Sequence, residues 1–338
     1  MPREEIKKRS IVGKAAIALA IVSVGVFLFV RMAMHDCLNY TVPPLSGKVV
    51  VITGANSGLG YYSSLTFAKA GATVIMACRN STKAQMAVDE IRSEYSDAKV
   101  SVVELDLSSL KSVKQFAATI SASFNTIDIL MNNAAEMAIP KREVTEDGFE
   151  RQMGINHLSH FLLTGLLLPS IASKGRIINV ASGAYMFAAK NFTYDLQSEK
   201  SYDPWTAYGN SKAANLYFTY ELNRRLQASG SSVIAVATHP GYTATNLQTS
   251  KFPFWSFFNS AFAMRLPEGT LSQILASVDP NVQASKNDFI GPKYMSFGYP
   301  VITKTTKVDE EVWKHLWEES YRLTSPLAPR AFGDLRQL

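Results

Sequence analysis

From Lys48 onward, short apolar runs rich in β-branched residues alternate with longer amphipathic stretches. We predict strands in six of these runs, at residues 49–53, 73–77, 100–104, 127–131, 176–180 and 233–238. The stretches between them predict helices at residues 60–70, 83–93, 109–124, 154–168 and 208–228. Strands that are apolar on both faces are typical of a parallel sheet covered by helices on either side. The pattern therefore predicts an α/β fold, a single domain with a doubly wound parallel sheet.

The N-terminal residues follow a different pattern. Residues 15–30 carry no charge, and the apolar stretch lengthens to 20 residues if Ile11 is included and Lys14 extends toward a membrane surface. A bilayer core is crossed by about 20 such residues. We therefore predict a basic tail, a single-pass transmembrane helix and a linker, at residues 1–10, 11–31 and 32–46. The basic flank favours a cytosolic N-terminus, with the remaining chain across the membrane.

A cleavable signal peptide is the alternative for this segment. The apolar stretch is long for such a peptide, and Arg31-Met-Ala-Met-His35 offers no convincing site with small residues two positions apart. The sequence therefore favours a retained anchor.

Composition narrows the function classes. The net charge is +6, and Arg3, Lys7, Lys8, Arg9 and Lys14 nearly account for it, so we expect no nucleic-acid partner. The 2 cysteines, Cys37 and Cys78, give neither a disulfide framework nor a metal site. About half of the chain is apolar, which is typical of a sizeable core.

A glycine-rich turn, Thr53-Gly-Ala-Asn-Ser-Gly-Leu-Gly60, follows the first predicted strand and precedes a helix. Glycines allow a tight turn and let the backbone approach a pyrophosphate at the helix N-terminus. Glycines also close ordinary turns, but the strand–turn–helix context favours a Rossmann-type dinucleotide site. The turn residues predicted to bind this cofactor are Gly54, Asn56, Ser57, Gly58, Leu59 and Gly60.

The end of the second strand bears on the choice between NAD and NADP. An NAD site places Asp or Glu there, whereas this chain has Ala77-Cys-Arg79. A guanidinium suits a 2′-phosphate, so we predict NADP(H), although Arg79 is also consistent with a solvated strand-end charge. After the third strand, Asp106 is a candidate acceptor for the adenine amino group or a helix N-cap. Leu107, Asn133 and Ala134 are further predicted cofactor contacts.

A phenol and an ammonium lie one helical turn apart at Tyr208 and Lys212. An unperturbed phenol has a pKa near 10, and a neighbouring ammonium is expected to lower it toward the working range. Lys212 is also expected to hold the nicotinamide ribose. Ser182 follows the fifth strand, where its hydroxyl can hold a substrate oxygen. The arrangement predicts proton transfer beside the cofactor.

These motifs together resemble the short-chain dehydrogenase/reductases, over residues 47–322. The similarity is greatest to the membrane-anchored retinol dehydrogenase branch. Local cues are Ala77-Cys-Arg79, Thr145-Glu-Asp-Gly-Phe149, Asn156-His-Leu-Ser-His160, Ser211-Lys-Ala-Ala-Asn215, His239-Pro-Gly241 and Leu316-Trp-Glu-Glu-Ser320. The sequence departs from the family pattern at Ala135 and Ala181, neither of which replaces a reacting group.

The resemblance implies a catalytic tetrad. Asn156 would relay protons through water, and Ser182 would position the carbonyl. Tyr208 would act as acid/base, tuned by Lys212. The loop Pro240-Gly-Tyr-Thr-Ala-Thr245 would contribute cofactor contacts from Pro240, Gly241, Thr243 and Thr245, the last to the nicotinamide carboxamide.

An aromatic segment, Phe252-Pro-Phe-Trp-Ser-Phe-Phe258, lies within residues 250–268. It predicts a lid over an apolar substrate pocket or a second membrane contact, with a core-packed helix as the alternative. We expect a retinol/retinal-like alcohol and its carbonyl partner as substrates. A steroid or long-chain lipid carbonyl is the second enzymatic hypothesis. A non-catalytic NADP-binding membrane scaffold is the third hypothesis. The presence of Ser182, Tyr208 and Lys212 argues against it, because a scaffold would not need these side chains.

The remaining expectations concern partners and location. The resemblance suggests homodimer formation through the two long helices at residues 154–168 and 208–228. The predicted anchor makes a membrane the second partner, with the endoplasmic reticulum expected first and a mitochondrial or plastid membrane as alternatives. Residues 323–338, which contain Pro326 and Pro329, are expected to form a loose C-terminal tail.

Overall fold

One eight-stranded sheet organises the protein. The computed structural model describes residues 14, 18, 21–34, 40–244, 263–283, 288–304 and 309–338. The strands are β1 (Val49–Thr53), β2 (Thr73–Cys78), β3 (Val100–Glu104), β4 (Ile127–Asn132), β5 (Ile171–Val180), β6 (Ile234–Thr238), β7 (Asp288–Pro292) and β8 (Pro300–Lys304). Their order is β3-β2-β1-β4-β5-β6-β7-β8, and every neighbouring pair is parallel except β7 and β8. The predicted Rossmann-type parallel sheet is confirmed.

Helices cover both faces of the sheet. They are α1 (Gly58–Lys69), α2 (Ser81–Glu94), α3 (Leu110–Ser123), α4 (Ser159–Leu167), α5 (Pro204–Ala228), α6 (Leu266–Val278) and α7 (Glu310–Thr324). A short helical segment, Arg151–Met153, and a π-helical turn, Gly154–Leu158, lead into α4. Short 3₁₀ turns occur at Leu168–Ser170, Gly183–Phe187, Phe192–Tyr194 and Gly333–Gln337.

The two faces have separate apolar cores because successive strand residues point in opposite directions. Val50 and Ile52 of β1 pack with α1, α2 and α6, whereas Val51 packs with α3, α4 and α5. All three side chains are fully buried. This double burial explains why the strands read as continuous apolar runs.

The C-terminal tail packs into the second of these cores, so the prediction of a loose tail was wrong. The ring of Phe332 lies 4.7 Å from that of Phe161 and 4.5 Å from that of Trp317, measured between centroids. Gly165 of α4 has no side chain, and a Cβ there would lie 2.6 Å from the Phe332 ring. The tail therefore closes a core that α4 and α5 alone leave open.

Buried charges fix the same tail to α5. Arg225 donates to the backbone oxygens of Leu335 at 2.9 Å and Arg336 at 2.8 Å, and its guanidinium lies 4.3 Å from the ring centre of Trp317. Its Nε is 2.7 Å from the carboxylate of Glu221, which is fully buried. Since a buried charge needs partners, this cluster requires the tail in place.

Phe332→Ala is expected to lower the free energy of unfolding by about 3–5 kcal/mol, because it removes a large aromatic ring from a closed core. Phe332 has a φ of 67°, and alanine keeps the same backbone penalty, so the change reports on packing. Denaturant unfolding of the full chain in detergent measures it. The control is Leu338→Ala, at an exposed position, where a change within about 0.5 kcal/mol is expected. Equal stabilities for the two variants would contradict the packing role.

The two long helices expected to mediate pairing are largely buried within the single chain. Most residues of α4 and α5 are inaccessible to solvent. The contacts of Phe161 with Trp317 and of Phe218 with Phe332 show that α7 and the tail cover them. Homodimer formation through this surface stays a prediction, and it would require a partner to bind beside the tail or displace it.

The N-terminal region and the predicted lid are described in part. Among the described residues, no helix combines the length and hydropathy needed to cross a membrane. Residues 21–34 are helical, while residues 11–13, 15–17 and 19–20 of the predicted anchor lie outside the described residues. So do Thr245 and residues 250–262 of the predicted lid. The described end of the lid joins the domain, since Met264 is buried and Leu266 begins α6.

Candidate active site

The glycine-rich turn leaves an open helix N-terminus at the carboxyl edge of the sheet. The N-cap residue Ser57 makes no side-chain capping bond, and the first turn of α1 contains no acidic residue. Gly54 and Gly58 adopt left-handed φ values of 64° and 56°, which favour glycine. A Cβ at Gly60 would lie 2.7 Å from the side-chain nitrogen of Asn133. The N–H groups of the first turn of α1, which have no acceptor within the helix, and the close backbone fit a pyrophosphate.

Thr53 joins this turn to the loop after β4. Its hydroxyl oxygen accepts from the backbone N–H groups of Asn133 at 2.9 Å and Ala134 at 3.0 Å. The Asn133 side chain donates back to the Thr53 carbonyl oxygen at 2.9 Å. Two predicted cofactor-binding segments therefore meet where β1 and β4 are neighbours, the point at which the strand order reverses.

The carboxyl end of β2, where the sequence predicts the adenine side of a cofactor, carries a basic residue and no acidic one. Arg79 is exposed there, and Asn80 caps α2 by accepting from Lys83 N at 2.8 Å. Below the glycine-rich turn, burial raises the pKa of the Cys78 thiol to about 11, opposed by the backbone N–H groups of Ala55 and Asn56. Cys78 therefore supports the turn as a neutral thiol.

Asp106 shapes the turn before α3. Its Oδ1 accepts from Ser108 N at 2.9 Å and from the Ser108 hydroxyl at 2.7 Å. The N-cap of α3 itself is Ser109, one residue beyond that turn. The neighbouring Leu107 is buried, and its carbonyl oxygen accepts from the Ser159 hydroxyl at 2.6 Å. Adenine recognition by Asp106 stays a prediction.

Ser182, Tyr208 and Lys212 converge at the same edge. The Ser182 side chain lies near enough to the Tyr208 phenol to lower its pKa. Lys212 Nζ donates to the Val180 carbonyl oxygen at 2.9 Å and lies 5.7 Å from the centre of the Tyr208 ring. The exposed fractions of Tyr208 and Lys212 are 6% and 2%, so water has little access to either group.

Burial controls the ionisation of this pair. It raises the pKa of Tyr208 to about 12, with the neighbouring Ser182 side chain opposing the shift. It lowers the pKa of Lys212 to about 7. The expectation that the ammonium lowers the phenol pKa was wrong for this structure, because desolvation disfavours the charged forms of both groups. Tyr208 is therefore a protonated acid at neutral pH.

Asn156 lies in the π-helical turn before α4. Its amide nitrogen donates to Glu136 O and to the Ser211 hydroxyl, both at 2.9 Å, and its amide oxygen accepts from Glu136 N at 2.8 Å. Ser211 in turn donates to the Tyr208 carbonyl oxygen at 2.8 Å. The side chain of Asn156 thus joins the loop after β4 to α5. A water relay through this residue stays a prediction.

Small residues hold the loop after β6 against the domain. Gly241 has a φ of 66°, and Gly291 and Gly269 lie directly against the side chains of His239 and Thr243. Thr243 donates to Pro240 O at 2.7 Å. The backbone of Ala181 donates to Thr238 O at 2.7 Å, which places this loop beside Ser182.

Comparison with known proteins agrees with this geometry. The family model described as short chain dehydrogenase matches residues 48–254. Retinol dehydrogenase 13 of Mus musculus is 39% identical over 298 residues, covering 84% of each chain. The polyprenol dehydrogenase of Homo sapiens is 32% identical over 332 residues, covering 93% of this chain and 97% of its own. The chain belongs to the short-chain dehydrogenase family.

A solved structure extends the family match to the fold. A protein of Mycobacterium Paratuberculosis, described as uncharacterized, is 38% identical with a TM-score of 0.71, covering 84% of this chain and 96% of its own. The resemblance to retinol dehydrogenases is confirmed. Short-chain dehydrogenases bind a nicotinamide cofactor, and this chain is an oxidoreductase of the alcohol dehydrogenase/reductase type.

In this short-chain dehydrogenase, a polar chain behind Lys212 reaches α7. The Asn215 side chain donates to the Val180 carbonyl oxygen at 3.4 Å, and its Oδ1 lies 3.3 Å from His157 Nδ1. The other ring nitrogen of His157 is 2.8 Å from the Ser320 hydroxyl. These residues occur in the motifs of the resemblance, but the sequence pattern assigns them no role. Asn215 and Lys212 share one acceptor, which links α7 to Lys212.

Proposed function

We propose that this chain is an NADP(H)-dependent oxidoreductase that interconverts an apolar alcohol and its aldehyde or ketone. The observation that carries the proposal is the cluster of Ser182 with the buried Tyr208 and Lys212, at the sheet edge that holds the open glycine-rich turn. A buried acid next to a dinucleotide site suits hydride and proton transfer to one carbonyl group.

A bound nicotinamide would supply the hydride that reduces the carbonyl carbon, or accept it when the alcohol is oxidised. Ser182 and Tyr208 hold the substrate oxygen through their hydroxyl groups. As the carbonyl is reduced, the proton of Tyr208 moves to the oxygen that gains negative charge. In the oxidation direction the phenolate form of Tyr208 takes the alcohol proton and becomes the phenol again. Lys212, with a pKa near 7, stabilises the phenolate left after proton donation.

Arg79→Ala is expected to weaken NADPH binding by about 10–100-fold and leave NADH binding unchanged. A charge-assisted contact of a guanidinium with a 2′-phosphate is worth about 1.5–3 kcal/mol, and each 1.4 kcal/mol is about tenfold in affinity. Fluorescence titration of the full chain with each cofactor measures the effect. The matched control is Arg330→Ala, another exposed arginine in the tail.

Two results of this titration would contradict NADP(H) specificity. One is tighter binding of NADH than of NADPH by the unaltered chain. The other is an equal loss of affinity for both cofactors in Arg79→Ala, which would mean that Arg79 maintains the shape of the site and does not recognise the 2′-phosphate. The absence of an acid after β2 supports the NADPH preference, because no carboxylate stands there to repel a 2′-phosphate.

Exposed apolar side chains support a membrane location. In the helix at residues 21–34, Val22, Val24 and Leu28 are more than half exposed, at 62%, 57% and 60%. The ring of Phe29 lies 5.4 Å from that of Tyr294 in the β7–β8 connection. On β8, Ile302 is 52% exposed. Together with the anchor predicted at residues 11–31, this surface is consistent with a single-pass protein of the endoplasmic reticulum.

The proposed substrate is a retinol/retinal-like molecule, as the names of the retinol dehydrogenase relatives suggest. A long-chain lipid carbonyl is the second candidate, favoured by the similarity to a polyprenol dehydrogenase over nearly the full chain. Both are apolar, which fits the exposed apolar surface beside the catalytic domain.

A further inference from the structure

His160 lies between the glycine-rich turn and the catalytic asparagine. Its Nε2 is 2.8 Å from the Thr53 hydroxyl, and its Nδ1 is 3.1 Å from the carbonyl oxygen of Asn156. The side chain is 1% exposed, so the protein supplies the partners of both ring nitrogens. One imidazole therefore bridges two parts of the site. Thr53 lies 107 residues from His160 in the sequence, and Asn156 lies 4 residues from it.

The neighbouring hydrogen bonds determine which ring nitrogen carries the proton. The Thr53 hydroxyl oxygen already accepts from the backbone N–H groups of Asn133 and Ala134. Its own hydrogen is thus free to donate, and His160 Nε2 is nearer than the alternative acceptor, Met131 O, at 3.5 Å. Nε2 is therefore the acceptor, and the ring hydrogen on Nδ1 donates to Asn156 O.

A neutral ring suits both bonds. Burial lowers the pKa of His160 to about 4, with a contribution from the positive charge of Lys212. At neutral pH the imidazole therefore has one donor and one acceptor, as the two partners require. In a protonated ring, Nε2–H would face the Thr53 hydroxyl, whose lone pairs are already occupied.

We infer that His160 is a positioning residue that couples the cofactor-binding turn to the proton-transfer centre. Through Thr53 it fixes the turn and the loop of Asn133 and Ala134. Through Asn156 it fixes the π-helical turn that is bonded to Ser211 and hence to the helix of Tyr208. This inference rests on the proposed function, because it concerns the distance between cofactor and acid/base group.

His160→Phe tests the bridge by removing both hydrogen bonds while keeping a ring of similar size. We expect the Kd for NADPH to rise about tenfold and kcat per folded molecule to fall about tenfold. Fluorescence titration and single-turnover kinetics on the full chain measure the two quantities. A purely structural role would reduce the folded fraction and leave the Kd of the remaining folded protein unchanged.

Conservative variants make the test independent of the folding of His160→Phe. The longer amide of His160→Gln is able to reach Thr53, and we expect it to recover most of the NADPH affinity. His160→Asn, one methylene shorter, stays near Asn156 and is expected to bind NADPH as weakly as the phenylalanine variant. His315→Phe removes a half-buried histidine stacked on Tyr194, away from the site, and is expected to match the unaltered chain.

Equal NADPH affinity in the glutamine and asparagine variants would overturn the inference, as would a kcat and Kd within twofold of the unaltered chain in His160→Phe. Failure of the proposed function is distinguishable, since the unaltered chain would then bind no nicotinamide cofactor or turn over no carbonyl substrate. If the unaltered chain is active and the His160 variants behave like it, the positioning role of His160 is contradicted and the proposed function stands.

Discussion

Tyr208→Phe is expected to lower kcat/KM by about 10²–10⁴-fold, the range typical of a lost general acid or base. The variant removes one oxygen atom, and the ring keeps its place because only 6% of the residue's surface is exposed. Lys212 retains its bond to the Val180 carbonyl oxygen. The loss should therefore appear in the chemical step, with NADPH binding changed little. Stopped-flow measurement of NADPH oxidation under single-turnover conditions separates the rate of the chemical step from NADPH binding.

Tyr217→Phe is the matched control for this experiment. Tyr217 lies on the same helix, α5, and packs against the ring of Phe192 outside the catalytic cluster. We expect it to retain turnover within about twofold, as surface or peripheral substitutions commonly do. Full activity in Tyr208→Phe would assign the proton transfer to another group and contradict the proposed mechanism.

Gly60→Ala is expected to weaken NADPH binding by about 10–100-fold. The added methyl group would contact the Gly54 carbonyl oxygen and lie 2.7 Å from Asn133 Nδ2 and 3.0 Å from Ala55 Cα. These atoms form the turn itself, so the turn has to open to admit the methyl group. Overpacking of this kind costs about 1–3 kcal/mol, equivalent to about 10–100-fold in affinity. Equilibrium titration with NADPH measures the loss.

Gly25→Ala controls for the general effect of adding a methyl group at a helical glycine. Gly25 belongs to the helix at residues 21–34, and apart from its chain neighbours and the adjacent helix backbone, none of the described residues has an atom within 4 Å of the added methyl group. Its NADPH affinity should equal that of the unaltered chain. Unchanged NADPH binding in Gly60→Ala would mean that the cofactor lies elsewhere, and it would contradict the assignment of the glycine-rich turn.

The sequence predicts the first six strands because each contains a short apolar run rich in β-branched residues, and β1, β2, β4 and β6 are almost wholly buried. β7 and β8 do not show that pattern. Their residues include Asp288, Gly291 and Pro292, and β8 is an antiparallel edge strand with an exposed Ile302. Similarly, the apolar residues of α7 read as one amphipathic helix, but the pattern does not show that Trp317 and the tail close the core over α4 and α5.

The site is predictable where strand ends and spacing determine it. Ser182 follows β5 and Tyr208 lies one turn before Lys212, and the structure brings these three side chains together. The role of His160 is not readable from spacing, because its partner Thr53 is 107 residues away and the bond depends on where α4 crosses the sheet. The raised pKa of Tyr208 was likewise missed, since burial is a tertiary property.

Steady-state turnover of the full chain, with NADPH and NADH compared, tests the central claim most directly. All-trans-retinal, long-chain aldehydes and ketosteroids serve as the substrate panel. We predict NADPH-dependent reduction of at least one apolar carbonyl, with a kcat/KM for NADH at least about tenfold lower. Binding of NADPH with no turnover of any substrate would contradict an apolar carbonyl reductase and favour a non-catalytic membrane scaffold.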